Sequence, residues 1–257
     1  IPAMKRAYSL KSSYMTQILR RYIFGDEPCE KIIKDPALLH SNTFEERFEE
    51  MLHPYIGKSR TELKAQFGIT SIAKNINEIL VAAMLGLKGR LASTDEFQKA
   101  SIVPKTITIG PGNTIKESMS FPAMDFCKMV NEKWEESDLY NCLAPTKFLF
   151  IVFKREDDGE YYFRCIKFWN IPIEDLEEVH RVWQRTVDTL REGVHIWKDS
   201  RGRNCNNLPK ASESRVAHVR PHGRDSTDTT PLPTGGSMTK QCFWLNNSYV
   251  AKQIKEV

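Results

Sequence analysis

The sequence predicts a single α/β domain with a mixed β-sheet core flanked by helices. Three observations carry this. Helical patterns fill the chain up to Leu87, strand patterns follow, and one helix and further strands close it, an order typical of helices packed on a mixed sheet. The run TKFLFIVFKR (Thr146 to Arg155) is continuously apolar over its middle, the mark of a strand buried on both faces. EDLEEVHRVWQRTVDTLREG carries Leu176, Val179, Trp183, Val187 and Leu190 as a helical stripe, with acids in its first turn and Gly193 as its stop.

Taken in order, the elements justify themselves locally. MKRAYSLKSSYMTQILRRYIFG is basic and amphipathic, with Tyr14, Ile18 and Tyr22 at helical spacing, and residues 1–40 are expected to be a lead-in that links to a preceding domain. DPALLHSN is a turn, after which Ser41 or Asn42 is the expected cap of a helix over TFEERFEEMLHPYIG. SRTELKAQFGI is a second helix, with Ser59 as its N-cap and Glu62 completing a capping box. SIAKNINEILVAAMLGL is a third, apolar on several sides and therefore central. SIVPKTITI is a strand that Pro104 restricts to a sheet edge or a bulge. After the turn GPGN, KESMSFPAMDF is extended, and MDFCKMVNEKW is a helix or an irregular turn. EDDGE joins the apolar run to its hairpin partner YYFRCIKFWNI. DSTDTTPLPTGGS is expected as a loop, and KQCFWLNNSYVAKQIKEV as a strand running into a helix.

Composition narrows the function classes. With 40% apolar and 27% charged residues over 257 positions, the chain belongs with globular proteins and not with disordered ones. No apolar run reaches membrane-spanning length and the opening residues do not read as a signal peptide. The first residue is Ile1, so a fragment of a longer protein is expected. Cys29, Cys127, Cys142, Cys165, Cys205 and Cys242 are scattered, without the spacing of a structural zinc site, and fit a reducing cytoplasm better than a disulfide framework. Net charge is +4, too small to point to a polyanionic partner. Its distribution is more informative. From Asp199 to Arg224 stand Arg201, Arg203, Lys210, Arg215, Arg220 and Arg224 against Asp199 and Glu213, so this stretch alone carries a charge equal to that of the whole chain. Clustered arginines beside Asn204, Asn206 and Asn207 suit phosphate contacts and base-edge hydrogen bonds; a solvated loop is the competing reading. His195, His218 and His222 read as loop histidines facing solvent or phosphate.

DEFQKASIVPKTITI has the outline of a metal-dependent nuclease strand: an acid, a short gap, then X-X-Lys on an apolar run. The resemblance extends from Tyr55 to the C-terminus. GKSRTELKAQFGI, KNINEILVAAMLGL, EFQKASIVPKTITI, TKFLFIVF, LPKASESRVA and CFWLNNSYV resemble, in order, segments of the MutH-like, GATC-specific type II restriction endonucleases. That resemblance implies a restriction-endonuclease-like fold, a single domain of two lobes spanning residues 41–257. It places Glu96 at the family's first carboxylate, Val103 at the second and Lys105 at the lysine, with Lys74 kept and Ala82 in place of a helix acid. Valine offers no oxygen to a hard cation such as Mg²⁺, so the resemblance implies no catalytic residue and no metal or other cofactor here, Mg²⁺ being expected of the full-length enzyme.

The DNA-facing positions of the family fall on Lys74, Lys105, Phe121, Lys147, Pro209, Lys210 and Trp244, to which the basic stretch adds Arg201, Arg203, Asn207 and Arg215, and the closing segment adds Asn246. Phe121 matches a wedging aromatic, with core packing as the competing reading. Leu208 stands where the family has Arg, and Trp244 where it has Tyr. Some members of the family join two such halves in one chain, the second lacking the motif and serving as an effector. This chain resembles that C-terminal, non-catalytic half. The expected partners are double-stranded GATC DNA and a catalytic nuclease domain of the same polypeptide, with dimerisation on DNA possible and no membrane. The alternative is an active endonuclease whose metal is held by Glu96, by Glu78 or Asp95, and by a backbone carbonyl near Val103.

Overall fold

The computed structural model describes residue 10, residues 12–25 and residues 29–255. In chain order come α1 (Ser12–Leu19), α2 (Phe44–Leu52), α3 (Arg60–Phe67), α4 (Ile76–Met84) and α5 (Asp95–Ala100). Strands β1 (Ile102–Gly110), β2 (Thr114–Ile115) and β3 (Met119–Ala123) follow, then α6 (Phe126–Met129) and α7 (Asp138–Leu143). After β4 (Lys147–Arg155), β5 (Tyr161–Trp169) and α8 (Ile173–Glu192) lie six short strands or ribbons: β6 (Ile196–Lys198), β7 (Asn204–Asn206), β8 (Ala217–Pro221), β9 (Thr229–Pro231), β10 (Ser237–Thr239) and β11 (Gln241–Leu245). Helix α9 (Asn247–Lys255) closes the chain. Two compact units result, one from residues 1–114 and 145–169, the other from 115–144 and 170–257.

The first unit is built on a four-stranded mixed sheet in the order β2-β1-β4-β5. β1 and β4 run parallel, β4 and β5 antiparallel. β4 is the central strand and is buried on both faces from Phe148 to Phe153, as its unbroken apolar run predicts. Leu149, Ile151 and Phe153 pack into a core with Phe48 and Leu52 of α2, Leu63 of α3 and Leu80 of α4. The Phe48 ring meets those of Phe97 and Phe168 at 5.8 and 5.5 Å. Pro104 sits on β1 beyond the reach of the two-residue β2, at an open sheet edge where no ladder donor is required.

Helix caps explain several boundaries. Ser59 accepts from the backbone N–H of Glu62 while the Glu62 carboxylate accepts from that of Ser59, the predicted box. The same device starts α2, but with Thr43 and Glu46 and not with Ser41 or Asn42. α4 begins only at Ile76, because Asn75 lies outside helical geometry. In the lead-in, α1 gives way to a π turn over Arg20–Phe24; the wider turn shifts the helical phase, and Tyr22 ends 70% exposed and off the stripe of Tyr14 and Ile18. The start of that lead-in, residues 1–9, lies outside the described residues.

The second unit holds a three-stranded antiparallel sheet, β3-β11-β8, with α8 supplying Val179, Trp183, Val187 and Leu190 to its core as predicted; Leu176 is only half-buried. Trp134 stacks on His180 at 4.8 Å and tilts against Trp183 at 5.5 Å. The segment expected as a loop at 225–237 instead contributes β9 and β10, a small hairpin turned at Gly235 and Gly236, both with positive φ. The basic stretch likewise opens on the turn and second strand of the β6–β7 hairpin. No helix among the described residues is long and apolar enough to cross a membrane.

Candidate functional site

In the first unit, the nuclease-like segment divides between two elements. Asp95 and Glu96 lie on α5, and Val103 and Lys105 on β1 after a left-handed Ser101. The Glu96 carboxylate accepts hydrogen bonds from the backbone N–H groups of Ile32 (3.0 and 3.1 Å) and Ile33 (2.9 Å), fastening the lead-in to the helix. Asp95 pairs with Lys99 at 2.8 Å. Glu78, half-buried on α4, has its carboxyl pushed up by burial, with Arg90 opposing, so its charged form is disfavoured. Among the described residues, no three His, Cys, Asp or Glu side chains come together as a metal site. In the alternative ligand set of Glu96, Asp95 or Glu78 and a backbone carbonyl near Val103, Glu96 is engaged by the Ile32 and Ile33 amides, Asp95 by Lys99, and the charged form of Glu78 is disfavoured, a poor fit to a hard divalent cation.

Glu96 thus carries a structural load. Glu96→Ala strands two backbone donors and is expected to destabilise the chain by about 1–3 kcal/mol. Urea denaturation of the parent and the variant checks this, and an unchanged midpoint would contradict it.

The three lysines expected at phosphates do not share one face. Lys74 is exposed in the turn before α4. Strand alternation and the β1–β4 register put Val103 and Lys105 on the face of Phe148 and Phe150, whereas Lys147 pairs with Ile102 on the opposite, helix-covered face. There Lys147 forms an ion pair with Glu45 of α2. Burial is the largest single influence and works against the Glu45 charge, but the hydrogen bond from Lys147, that from the Glu45 backbone and the Lys147 charge together outweigh it and hold the carboxyl below its ordinary value.

In the second unit, β7, the loop over residues 207–216, β8 and β11 bring together most of the remaining predicted residues. The loop is fastened from inside. Leu208 and Pro209 are buried, and the Pro209 carbonyl accepts from the Val219 N–H at 2.9 Å. Asn207 Oδ1 accepts from the His195 N–H at 2.9 Å. Lys210 Nζ reaches the Asn206 carbonyl at 2.7 Å and lies 5.4 Å from the centre of the Trp197 ring. Asn246 is 4% exposed; its Nδ2 donates to the Ser214 carbonyl at 2.7 Å, so its Oδ1 is left to accept from Nδ1 of His218 at 2.5 Å. His218 is thus a buried strand residue and not a loop histidine, and burial lowers its basicity, with Asn246 opposing and Arg220 adding to the effect.

Arg215 reaches back to Asp175 (2.5 Å), which is buried at the start of α8 and also accepts from the Tyr249 hydroxyl at 2.6 Å. Burial, and then that hydrogen bond, push the Tyr249 hydroxyl well above its ordinary range. Trp244 is half-buried on β11, with the Arg220 guanidinium 4.6 Å over its ring and His222 edge-on at 5.6 Å. Phe121 is 7% exposed and lines a cavity of about 300 Å³ with Met129, Trp183 and Phe243; Asp125, Glu132 and Asp138 also line it. This is the packed placement of the ring, in surroundings that repel phosphate. Sequence reasoning missed Trp197, and it named Arg220 only as part of the basic stretch. Trp197 lies on β6 just before the basic stretch and Arg220 on β8 within it, placements legible only once these segments are read as strands.

The described side chains define a mixed α/β protein with a positively charged ribbon-and-loop surface and a nuclease-like strand that lacks an oxygen-ligand cage. The chain is similar over its whole length to the type II restriction enzyme Sau3AI of Staphylococcus aureus, with 38% identity over 296 aligned residues covering 100% of this chain and 60% of the relative. The chain thus spans less than two thirds of the length of the relative it matches. No family model matches it.

Proposed function

We propose that this chain is a sequence-specific double-stranded DNA-binding module, selective for GATC, that serves as the effector domain of a type II restriction endonuclease. The observation that supports the reading is the state of the nuclease-like segment: Glu96 on α5 caps two backbone amides, and Val103 on β1 stands where the resemblance expects a second carboxylate, in a chain similar to a restriction enzyme. Cleavage and its Mg²⁺ then belong to another domain of the same polypeptide. Arg201, Arg203, Asn207, Lys210, Arg215 and Trp244 face the duplex; Pro209, Asn246 and Phe121 hold the shape of that surface from inside. In the first unit, Lys74 and Lys105 are offered as phosphate contacts in their own right, which position a duplex without reading it, whereas Lys147, also expected at a phosphate, is taken up by Glu45. Occupying this site activates the catalytic domain to the extent that the active arrangement binds the second GATC better than the inactive one, and dimerisation on DNA is one way to present both.

Gel shifts of the full chain with GATC and scrambled duplexes across salt concentrations test this. GATC-preferring binding that weakens steeply with salt, and no cleavage with Mg²⁺ or Mn²⁺, is the expected result. Nicking abolished by Glu96→Ala would overturn the non-catalytic assignment, and equal affinity for scrambled duplex would overturn the specificity.

A further inference from the structure

The β6–β7 hairpin is a free-standing two-stranded sheet, and all three residues of β6 are exposed. Two strands without a covered face are marginal in water, so the surroundings must hold them. Here the base is fastened by His195 to Asn207 and by Lys210 to Asn206, so the ribbon runs directly into the loop over residues 207–216. The tip is fastened by Asp199. Its carboxylate accepts from the N–H groups of Arg201 and Arg203 at 2.9 Å each and pairs with the Arg203 guanidinium at 2.7 Å. Gly202 turns the chain with a φ of 74°. Backbone and guanidinium bonds from Arg203, then that from the Arg201 N–H, hold Asp199 below its ordinary carboxyl range, so the tip stays closed at neutral pH.

The fastened ribbon therefore exposes Trp197 (40%) on one face and Ile196 (42%) on the other, and carries Lys198, Arg201 and Arg203. Trp197 is held in place by His195, stacked at 5.2 Å, and by the Lys210 ammonium on its ring. An exposed tryptophan with an ammonium on its ring, on a ribbon that also carries Lys198, Arg201 and Arg203, suits a partner that is polyanionic outside and apolar within, as a nucleic-acid groove is. Width selects the groove. Strands about 4.8 Å apart, with their side chains, match a major groove about 12 Å wide and not a minor groove about 6 Å wide.

We infer that the β6–β7 ribbon enters the major groove of duplex DNA as a reading element, with Arg201 and Arg203 at guanine edges or phosphates and Trp197 against the groove wall. This rests on the DNA-binding function proposed above and adds to it the element, the groove and Trp197.

The test compares the full chain with Trp197→Ala and with Arg201→Ala, both exposed positions, each checked for an unchanged melting temperature. Affinity for a GATC duplex is read by fluorescence anisotropy, and groove occupancy by methylation protection at guanine N7, which lies in the major groove. Each variant is expected to bind about 10-fold more weakly. Arg201→Ala should also reduce the salt slope by about one, and the parent should protect N7 positions that the variants leave open. A parent that binds while both variants match its affinity and N7 stays reactive overturns the ribbon inference alone. A parent that binds no duplex overturns the DNA reading with it.

Discussion

Asn246→Leu is expected to lower the stability of the chain by about 2–4 kcal/mol and to weaken DNA binding in the same stroke. The side chain is buried, and its two polar atoms satisfy the Ser214 carbonyl and the His218 ring. Leucine keeps the volume and leaves both partners dry and unbonded, which costs about 1–3 kcal/mol for each. Ser214 closes the loop that carries Lys210 and Arg215, so the loop loses its fastening as the bond is lost. Asn246→Asp retains an acceptor for His218 but no donor for Ser214, and falls between. Urea unfolding and anisotropy on the same preparations read both effects. A leucine variant within about 1 kcal/mol of the parent, a size typical of volume-conserving swaps, would show that the network contributes little.

Phe153→Ala should cost about 3–5 kcal/mol, the range for removing a fully buried aromatic. Phe153 has 0% exposure on the central strand, and its ring lies 5.4 Å from that of Phe163. The β4–β5 register shifts between Val152 and Phe153, so the backbone there already departs from a regular ladder and is poorly placed to close over a void. Phe153→Leu should lose far less, about 1.5 kcal/mol or under. Denaturant midpoints of the three proteins check this. Equal losses for the two variants would mean that ring packing is not what the site supplies.

What the sequence discloses here follows the range of the interactions. The Ser59 box, the buried run of β4, its hairpin return and the stripe of α8 each depend on residues close together in the chain, and they are found where expected. The start of α2 shows the margin of such reasoning: three capping residues stand in a row at Ser41, Asn42 and Thr43; Asn42 and Thr43 each stand three residues before a glutamate, and it is Thr43 with Glu46 that closes the box, while Glu45 pairs with Lys147. The hairpin over β9 and β10 was hidden because proline, glycine and threonine mark turns and edge strands alike. For the site, Val103 could be read directly, since a missing oxygen is a property of one residue. Glu96 could not, because its partners Ile32 and Ile33 lie more than 60 positions away and offer only backbone. Nor could the pairing of Arg215 with Asp175 or the burial of His218, each of which depends on packing between distant segments.

The chain passes between its two units three times, at residues 114–115, 144–145 and 169–170. β1 therefore waits for a parallel partner that is synthesised only after residues 115–144 have been assigned to the other unit. During translation the first core cannot close until β4 and β5 have left the ribosome, and the second cannot close until α8 and β11 follow. Pairings of such long sequence separation are slow to form and leave unpaired edges open meanwhile. A single proteolytic nick at any of the three crossings would also leave at least one unit stitched from two fragments, and both after a nick at 144–145, so neither unit can be released from the other by one cut.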